Sequence, residues 1–180
     1  MLCRNISTLK QKRLDNEKPS PKWKKELVIH SVEAAKTIAI REINTDDALY
    51  AQECKLRYDV LRVPLGMTHK DSEKFPFESE ARHWVAMRDE RVVGCVLLYP
   101  NEKDQAKLFQ MVVAQAEQGK GIGIALVENL EKAAQSAKIK RINLHARLVA
   151  IDFYRRLGYQ AHGPIFAEIG IPHRRMVKDI

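Results

Sequence analysis

The feature that most constrains this chain is a glycine-rich hexapeptide, Gln118-Gly119-Lys120-Gly121-Ile122-Gly123, set between two apolar segments of different period. The segment before it, Leu108 to Ala114, is apolar enough for a buried strand. The segment after it runs to about Lys138 and puts Ile122, Leu126, Leu130, Ala133 and Ala137 on one helical stripe. Strand, glycine turn and helix in that order form an anion-binding device. The glycines let the backbone turn tightly and aim successive N–H groups at one point, and the helix start adds partial positive charge there. Gln118, Gly119, Lys120, Gly121, Ile122, Gly123 and Ile124 are the candidate donors for a pyrophosphate. Two nucleotide-binding patterns fail. A P-loop closes on Gly-Lys-Ser/Thr, and here Lys120 is followed by Gly121. A Rossmann fingerprint needs Gly-x-Gly-x-x-Gly, and Gly123 falls one residue early. What remains is Gln-x-x-Gly-x-Gly opening a helix.

At 180 residues the chain suits one domain with a sizeable core. No apolar run approaches the roughly 18 residues of a membrane helix, so no membrane partner is expected. The net charge of +8 is concentrated at the front, where residues 1–37 hold 9 Lys/Arg against 4 Asp/Glu. The remainder is only mildly basic, which suits an anionic cofactor, and shows no nucleic-acid-binding motif. Cys3, Cys54 and Cys95 are too few and too scattered for a disulfide framework or a zinc site. The expectation is a reducing, cytoplasmic compartment and no metal.

Residues 1–19 read as a basic, disordered arm; Asp15, Glu17 and the lysine-rich bias count against a mitochondrial presequence. From Ser20-Pro21 to about Ala35 the chain reads as an extra amphipathic helix, with a strand at Val28, Ile29 and Val32, poor helix formers, as the alternative. The first core strand is Thr37 to Ile43. Asn44-Thr45-Asp46-Asp47 signals a helix start, and that helix runs to about Leu61, before Pro64. Residues 65–80 read as a surface loop. Arg82 to Arg88 and Arg91 to Tyr99 form a hairpin turning at Asp89-Glu90, on which His83 reads as a hydrogen-bonded core histidine. Pro100 to Asp104 turn into the central strand at 107–114. After the glycine loop and its helix, Lys140 to Ala146 is a strand, parallel to the central one through a right-handed crossover. A short helix ends at Gly158, and strands near 160–169 and 173–179 close the chain around Gly170-Ile171-Pro172.

Several segments together resemble one family. The Gln-x-x-Gly-x-Gly loop is similar to the acetyl-CoA loop of the GNAT superfamily of N-acetyltransferases. Ala150-x-x-Phe153-Tyr154-x-x-Leu157-Gly158-Tyr159 resembles that family's Ala-x-x-Phe-Tyr segment, and it begins 27 residues after Gly123, with one helix and one strand between. Leu56 to Gly66, Arg82-His83 and Phe166-x-Glu168-x-Gly170-Ile171-Pro172-His173-x-x-Met176 resemble ElaA-like members. The resemblance covers roughly 38–180, and the extension 1–37 falls outside it. It implies an α/β (α+β) fold with a mixed, mostly antiparallel sheet, a central splayed pair of parallel strands, and helices on both faces.

The activity it implies is acetyl transfer from acetyl-CoA to a small-molecule or peptide amine. The resemblance makes Met111 and Val113 the strand edge for the pantetheine arm, with a backbone N–H near Val113 as the oxyanion donor. Tyr154 falls where the family places the acid for the departing thiolate; packing is its other reading. An amine near pKa 10.4 arrives charged at neutral pH, so a base helps, and Glu168 and His173 are the candidates. Arg147 occupies a position that is Asn in many relatives and is assigned no role. A non-catalytic acyl-CoA-binding sensor on the same fold is the rival reading. Acids at 71, 73, 78 and 80 point weakly to a cationic acceptor. Both monomer and homodimer stay open.

Overall fold

The computed structural model describes residues 37–69 and 75–180. The arm and extra helix expected within residues 1–36 lie outside the described residues. From Ile38 the chain builds seven strands and three helices: β1 (Ile38–Ile43), α1 (Tyr50–Leu61), β2 (Arg82–Arg88), β3 (Arg91–Glu102), β4 (Gln105–Val113), α2 (Ile122–Ser136), β5 (Arg141–Arg147), α3 (Ile151–Arg156), β6 (Gln160–Glu168) and β7 (Ile171–Asp179). They form one sheet in the order β1-β2-β3-β4-β5-β7-β6. Every neighbouring pair is antiparallel except β4 and β5.

That parallel pair holds together over only Gln105–Arg141, Ala106–Ile142 and Lys107–Asn143. The buried Asn143 side chain reinforces its closed end by donating to Ala106 O at 3.1 Å. Beyond it the strands part, and this opening is the expected splay.

The two faces of the sheet are covered by different helices, as strand alternation requires. Trp84, Ala86, Val96, Leu98, Ile142, Leu144 and Ala146 pack with Leu126 and Leu130 of α2 and with Tyr154 of α3. Val85 and Cys95 point the other way, toward Leu56 and Val60 of α1. Leu126 and Leu130 are fully buried, each contributing about 1.5–3 kcal/mol by leaving water.

A bulge in β4 interrupts the alternation. The β3–β4 register steps from Cys95–Val112 to Leu97–Phe109, so one residue of β3, Val96, faces two of β4, Gln110 and Met111. Gln110 sits there with φ 51°. Before the bulge Ala106 and Leu108 face α2; after it Met111 and Val113 do, while Val112 has crossed to the face of α1. An inserted residue has this effect, because the side-chain period is two.

Several boundaries differ from expectation for local reasons. The 44–47 signal makes a turn rather than the cap itself: Leu49 N donates to Asp47 Oδ1 at 2.9 Å, and the helix begins at Tyr50. β3 runs through Pro100 to Glu102, shortening the turn into β4. Ile171 and Pro172 belong to β7. The reversal before them is two residues long, Ile169 at φ 47° and Gly170 at φ 75°, as a tight hairpin demands. Glu78, expected on a surface loop, is 3% exposed. His83 is a core histidine as expected, held by Glu53 at 2.9 Å and by the carbonyl of Glu78 at 3.0 Å. Among the described residues no helix is long and apolar enough to cross a membrane.

Candidate active site

Where β4 and β5 part, they leave a cleft of about 370 Å³. It brings together Met111, Val113, Gln118, Tyr154, Glu168 and His173, all singled out from the sequence. Gly119 to Ile124 follow Gln118 in the chain and are not part of that wall.

Ala114 N donates to Val93 O at 2.8 Å, across β3. By alternation the N–H and C=O of Val113 face the opposite way, into the opening. The carbonyl there accepts from Gln118 Nε2 at 3.0 Å. The Gln118 N–H itself turns back to Gln115 O at 3.3 Å. Gln118 therefore ties the loop to the strand edge, and the free donors begin one residue later than expected, at Gly119. Ala125 N makes the first helical bond, to Gly121 O at 3.1 Å. The N–H groups of Ile122, Gly123 and Ile124 thus start α2 without a helical acceptor.

The glycines do two different jobs. Gly119 and Gly121 have φ of 75° and 79° with open space beside them, so their role is conformational. Gly123 has ordinary φ, but a Cβ there would lie 3.0 Å from Met111 Cε and 3.3 Å from the Phe153 ring. It lets α2 start against β4 and α3. Glu117, an acid beside the glycine loop, is held by Arg88 at 2.9 Å and Lys120 at 3.2 Å.

Tyr154 reaches the cleft from the α2 face. It is 5% exposed, its ring lies edge-on to Phe153 and Tyr159, and burial pushes its phenol above the ordinary range. From the opposite face come the odd-numbered side chains of β5, whose even-numbered residues pack on α2. His145 Nδ1 meets Glu168 Oε2 at 2.8 Å. Its ring stands edge-on to Phe166, with centroids 4.9 Å apart. Arg147 donates to Leu61 O, the C-terminal carbonyl of α1, at 3.2 Å. His173 lines the same cleft but is 7% exposed, with Nδ1 bonded to Ile171 O at 2.8 Å.

His145 was not among the sequence candidates. The available signal was the alternation of Ile142, Leu144 and Ala146 with Asn143, His145 and Arg147, which gives a central strand one polar face. Arg62, within the Leu56 to Gly66 stretch that resembles ElaA-like members, also lines the cleft. Burial lowers its pKa, and Arg147 and Arg57 lower it further against the opposing charge of Glu168.

A seven-stranded mixed sheet that opens beside a glycine loop at a helix start, with a buried tyrosine in the opening, defines the acyltransferase class. The chain belongs to the GNAT acetyltransferase family: the model described as "Acetyltransferase (GNAT) domain" matches residues 62–180. A Bacillus subtilis (strain 168) protein named "Uncharacterized N-acetyltransferase YjcF" is 29% identical over 143 residues, 79% of this chain and 97% of that one. Escherichia coli ElaA superposes with a TM-score of 0.69 at 17% identity, over 79% of this chain and all of the other. An aminoglycoside 6'-N-acetyltransferase solved with coenzyme A gives 0.65 at 19% identity, over 78% and 96% of the two chains.

Proposed function

We propose that this chain is an acetyl-CoA-dependent N-acetyltransferase that passes the acetyl group directly to an amine. The observation that carries the reading is the two-sided cleft. Tyr154 enters from one face of the sheet and the His145–Glu168 pair from the other. Direct transfer suits this division, because it needs a proton acceptor at the attacking amine and a separate proton donor at the departing sulfur. The residues present also fit the coenzyme. The N–H groups from Gly119 to Ile124 suit its pyrophosphate, and the Val113 N–H faces the opening beside Met111. The coenzyme in the solved aminoglycoside acetyltransferase is consistent with this.

Acetyl-CoA supplies the activated thioester; the chain supplies donors and proton carriers. The Val113 N–H is the candidate oxyanion donor, a contact worth about 10²–10³ in rate where such donors have been removed. Tyr154 keeps its proton at neutral pH because burial disfavours the phenolate, so it donates a hydrogen bond as charge develops on sulfur. Glu168 orients the His145 imidazole, leaving Nε2 to accept the amine's proton. This moves the base from Glu168 or His173 alone to a pair, in which Glu168 keeps a role as orienter. His173, buried and tied to Ile171 O, shapes the wall. A cytoplasmic setting belongs to the same reading and is supported by free thiols at Cys54 and Cys95.

The test is calorimetric titration with acetyl-CoA, then a thiol-release assay over an amine panel with Tyr154→Phe. Wild type should give heat and turnover. The variant should bind the coenzyme normally and lose about 10²-fold in kcat. No heat with millimolar acetyl-CoA would sink the reading, and an unchanged kcat in Tyr154→Phe would remove the tyrosine from it.

A further inference from the structure

We propose that Arg62 and Arg147 form an oxyanion-binding subsite for the acceptor, so that the amine acetylated carries a carboxylate next to it, as an α-amino acid does. This rests on the acetyltransferase reading and extends it to the class of acceptor.

Both arginines are half-buried in the cleft wall. Arg147 is pinned by Leu61 O at 3.2 Å, which holds it beside the residue that follows, Arg62. Arg62 Nη2 lies 3.5 Å from Gln110 Oε1. Among the described residues neither arginine makes an ion pair. The acid whose charge acts on Arg62 is Glu168, already engaged by His145 at 2.8 Å. Arg57, only five positions before Arg62, shows the usual arrangement instead: it pairs with both Glu53 and Glu78. Two sheltered guanidinium groups that face one space without a counter-charge repel each other and lose hydration. A bound oxyanion relieves both costs, and the planar fork of arginine matches a carboxylate or phosphate.

The location selects the acceptor. Arg62, Gln110 and Phe75 line both the cleft and a second cavity of about 740 Å³ against α1. This is the face from which His145 and Glu168 enter. An acceptor with its amine at His145 and its carboxylate at the junction would extend its side chain into the larger cavity. The acids of that cavity are already spent, Glu78 on Arg57 and Asp59 on Lys55 at 2.7 Å. A polycation therefore finds no free carboxylate among the described residues there; of the acids at 71, 73, 78 and 80, the first two lie outside the described residues.

The experiment compares amino acids, their amides and a polyamine as acceptors for the full chain, with acetyl-CoA binding measured separately by calorimetry. The acid should exceed its own amide by tenfold or more in kcat/KM, about 1.4 kcal/mol. Arg62→Gln and Arg147→Gln should each shrink that ratio toward one, mainly through KM, with acetyl-CoA affinity held within about twofold. An amide or polyamine equal to the acid overturns the subsite using wild type alone. A tenfold loss of acetyl-CoA affinity in Arg62→Gln, with the acid–amide ratio intact, assigns the arginines to the coenzyme and also overturns it. If wild type binds no acetyl-CoA, the acetyltransferase reading fails first. Thermal shift by the amino acid against its amide then still decides the subsite, since equal shifts refute it.

Discussion

Replacing Arg57 by Met tests how α1, the wall of both cavities near Arg62, is held to the sheet. Arg57 is 8% exposed and sits between two buried carboxylates, Glu53 at 0% and Glu78 at 3%. His83 is the other group facing Glu53: burial lowers its pKa, but the Glu53 carboxylate holds it above the ordinary value. Methionine keeps much of the stem and removes the cation. Glu53 still has His83, but Glu78 is left with the Tyr50 hydroxyl at 3.0 Å and the Phe75 N–H at 3.1 Å. Glu78 would then take up a proton. Protonating at pH 7 a group whose unfolded pKa is about 4.3 costs about 3.7 kcal/mol, at 1.36 kcal/mol per unit, which caps this part of the loss. A loss of about 3 kcal/mol lowers Tm by roughly 10 °C in a domain of this size.

The pH dependence identifies the cause. In wild type, burial pushes the Glu78 carboxyl up, but Arg57, Tyr50 and the Phe75 N–H together hold it below the ordinary range. Its contribution is therefore present above the unfolded pKa and is lost as pH falls through the native one. In Arg57→Met the native pKa rises above the unfolded value, so the deficit is largest at high pH and closes on acidification. At pH 5 the same arithmetic leaves about 1 kcal/mol. Urea unfolding of both proteins between pH 5 and 8 measures it. A deficit that is constant with pH, or below 1 kcal/mol at pH 7, would refute the reasoning.

Three further substitutions probe the site. Gly121→Ala places a side chain at φ 79°; it should cost about 1–2 kcal/mol of stability and weaken acetyl-CoA binding in calorimetry, whereas an unchanged affinity would detach the loop from the coenzyme. Ile169→Asn replaces a β-branched residue at φ 47° that is 52% exposed; chemical denaturation should show a gain of about 1 kcal/mol, because Asn tolerates this conformation. His145→Gln should cut kcat/KM and flatten the acid limb of its pH profile, and a profile identical to wild type would leave the base elsewhere.

Much of the site was legible because it is local. The glycine spacing, the apolar run before it and the helical stripe after it are neighbours in sequence, and the Tyr154 segment follows at a fixed distance. The same holds for the edges of β2 and for Arg141 to Arg147, where alternation is regular. Legibility failed where a contact joins distant positions. His145 and Glu168 are 23 residues apart, and nothing in either neighbourhood marks the other. Glu78 looked solvated because it stands in a polar loop, yet Arg57, 21 residues earlier, draws it into the core. Gln118 looked like one more phosphate donor because its partner, the Val113 carbonyl, is exposed only once β5 has turned away.

The sequence by itself determined where strands and helices form, that a glycine turn opens α2, and the family, since each depends on spacing along a short stretch of backbone. Only the tertiary structure decided which faces the candidate groups occupy. The extra residue at Gln110 inverts the alternation of β4, and the three-pair ladder with β5 lets the strands part. Around that opening α3 brings Tyr154 from one face, and the odd-numbered positions of β5 bring His145 and Arg147, with Glu168 of β6, from the other, while the β4 bulge turns Met111 and Val113 toward α2. A bulge is a matter of register between two strands, which neither strand's residues encode alone.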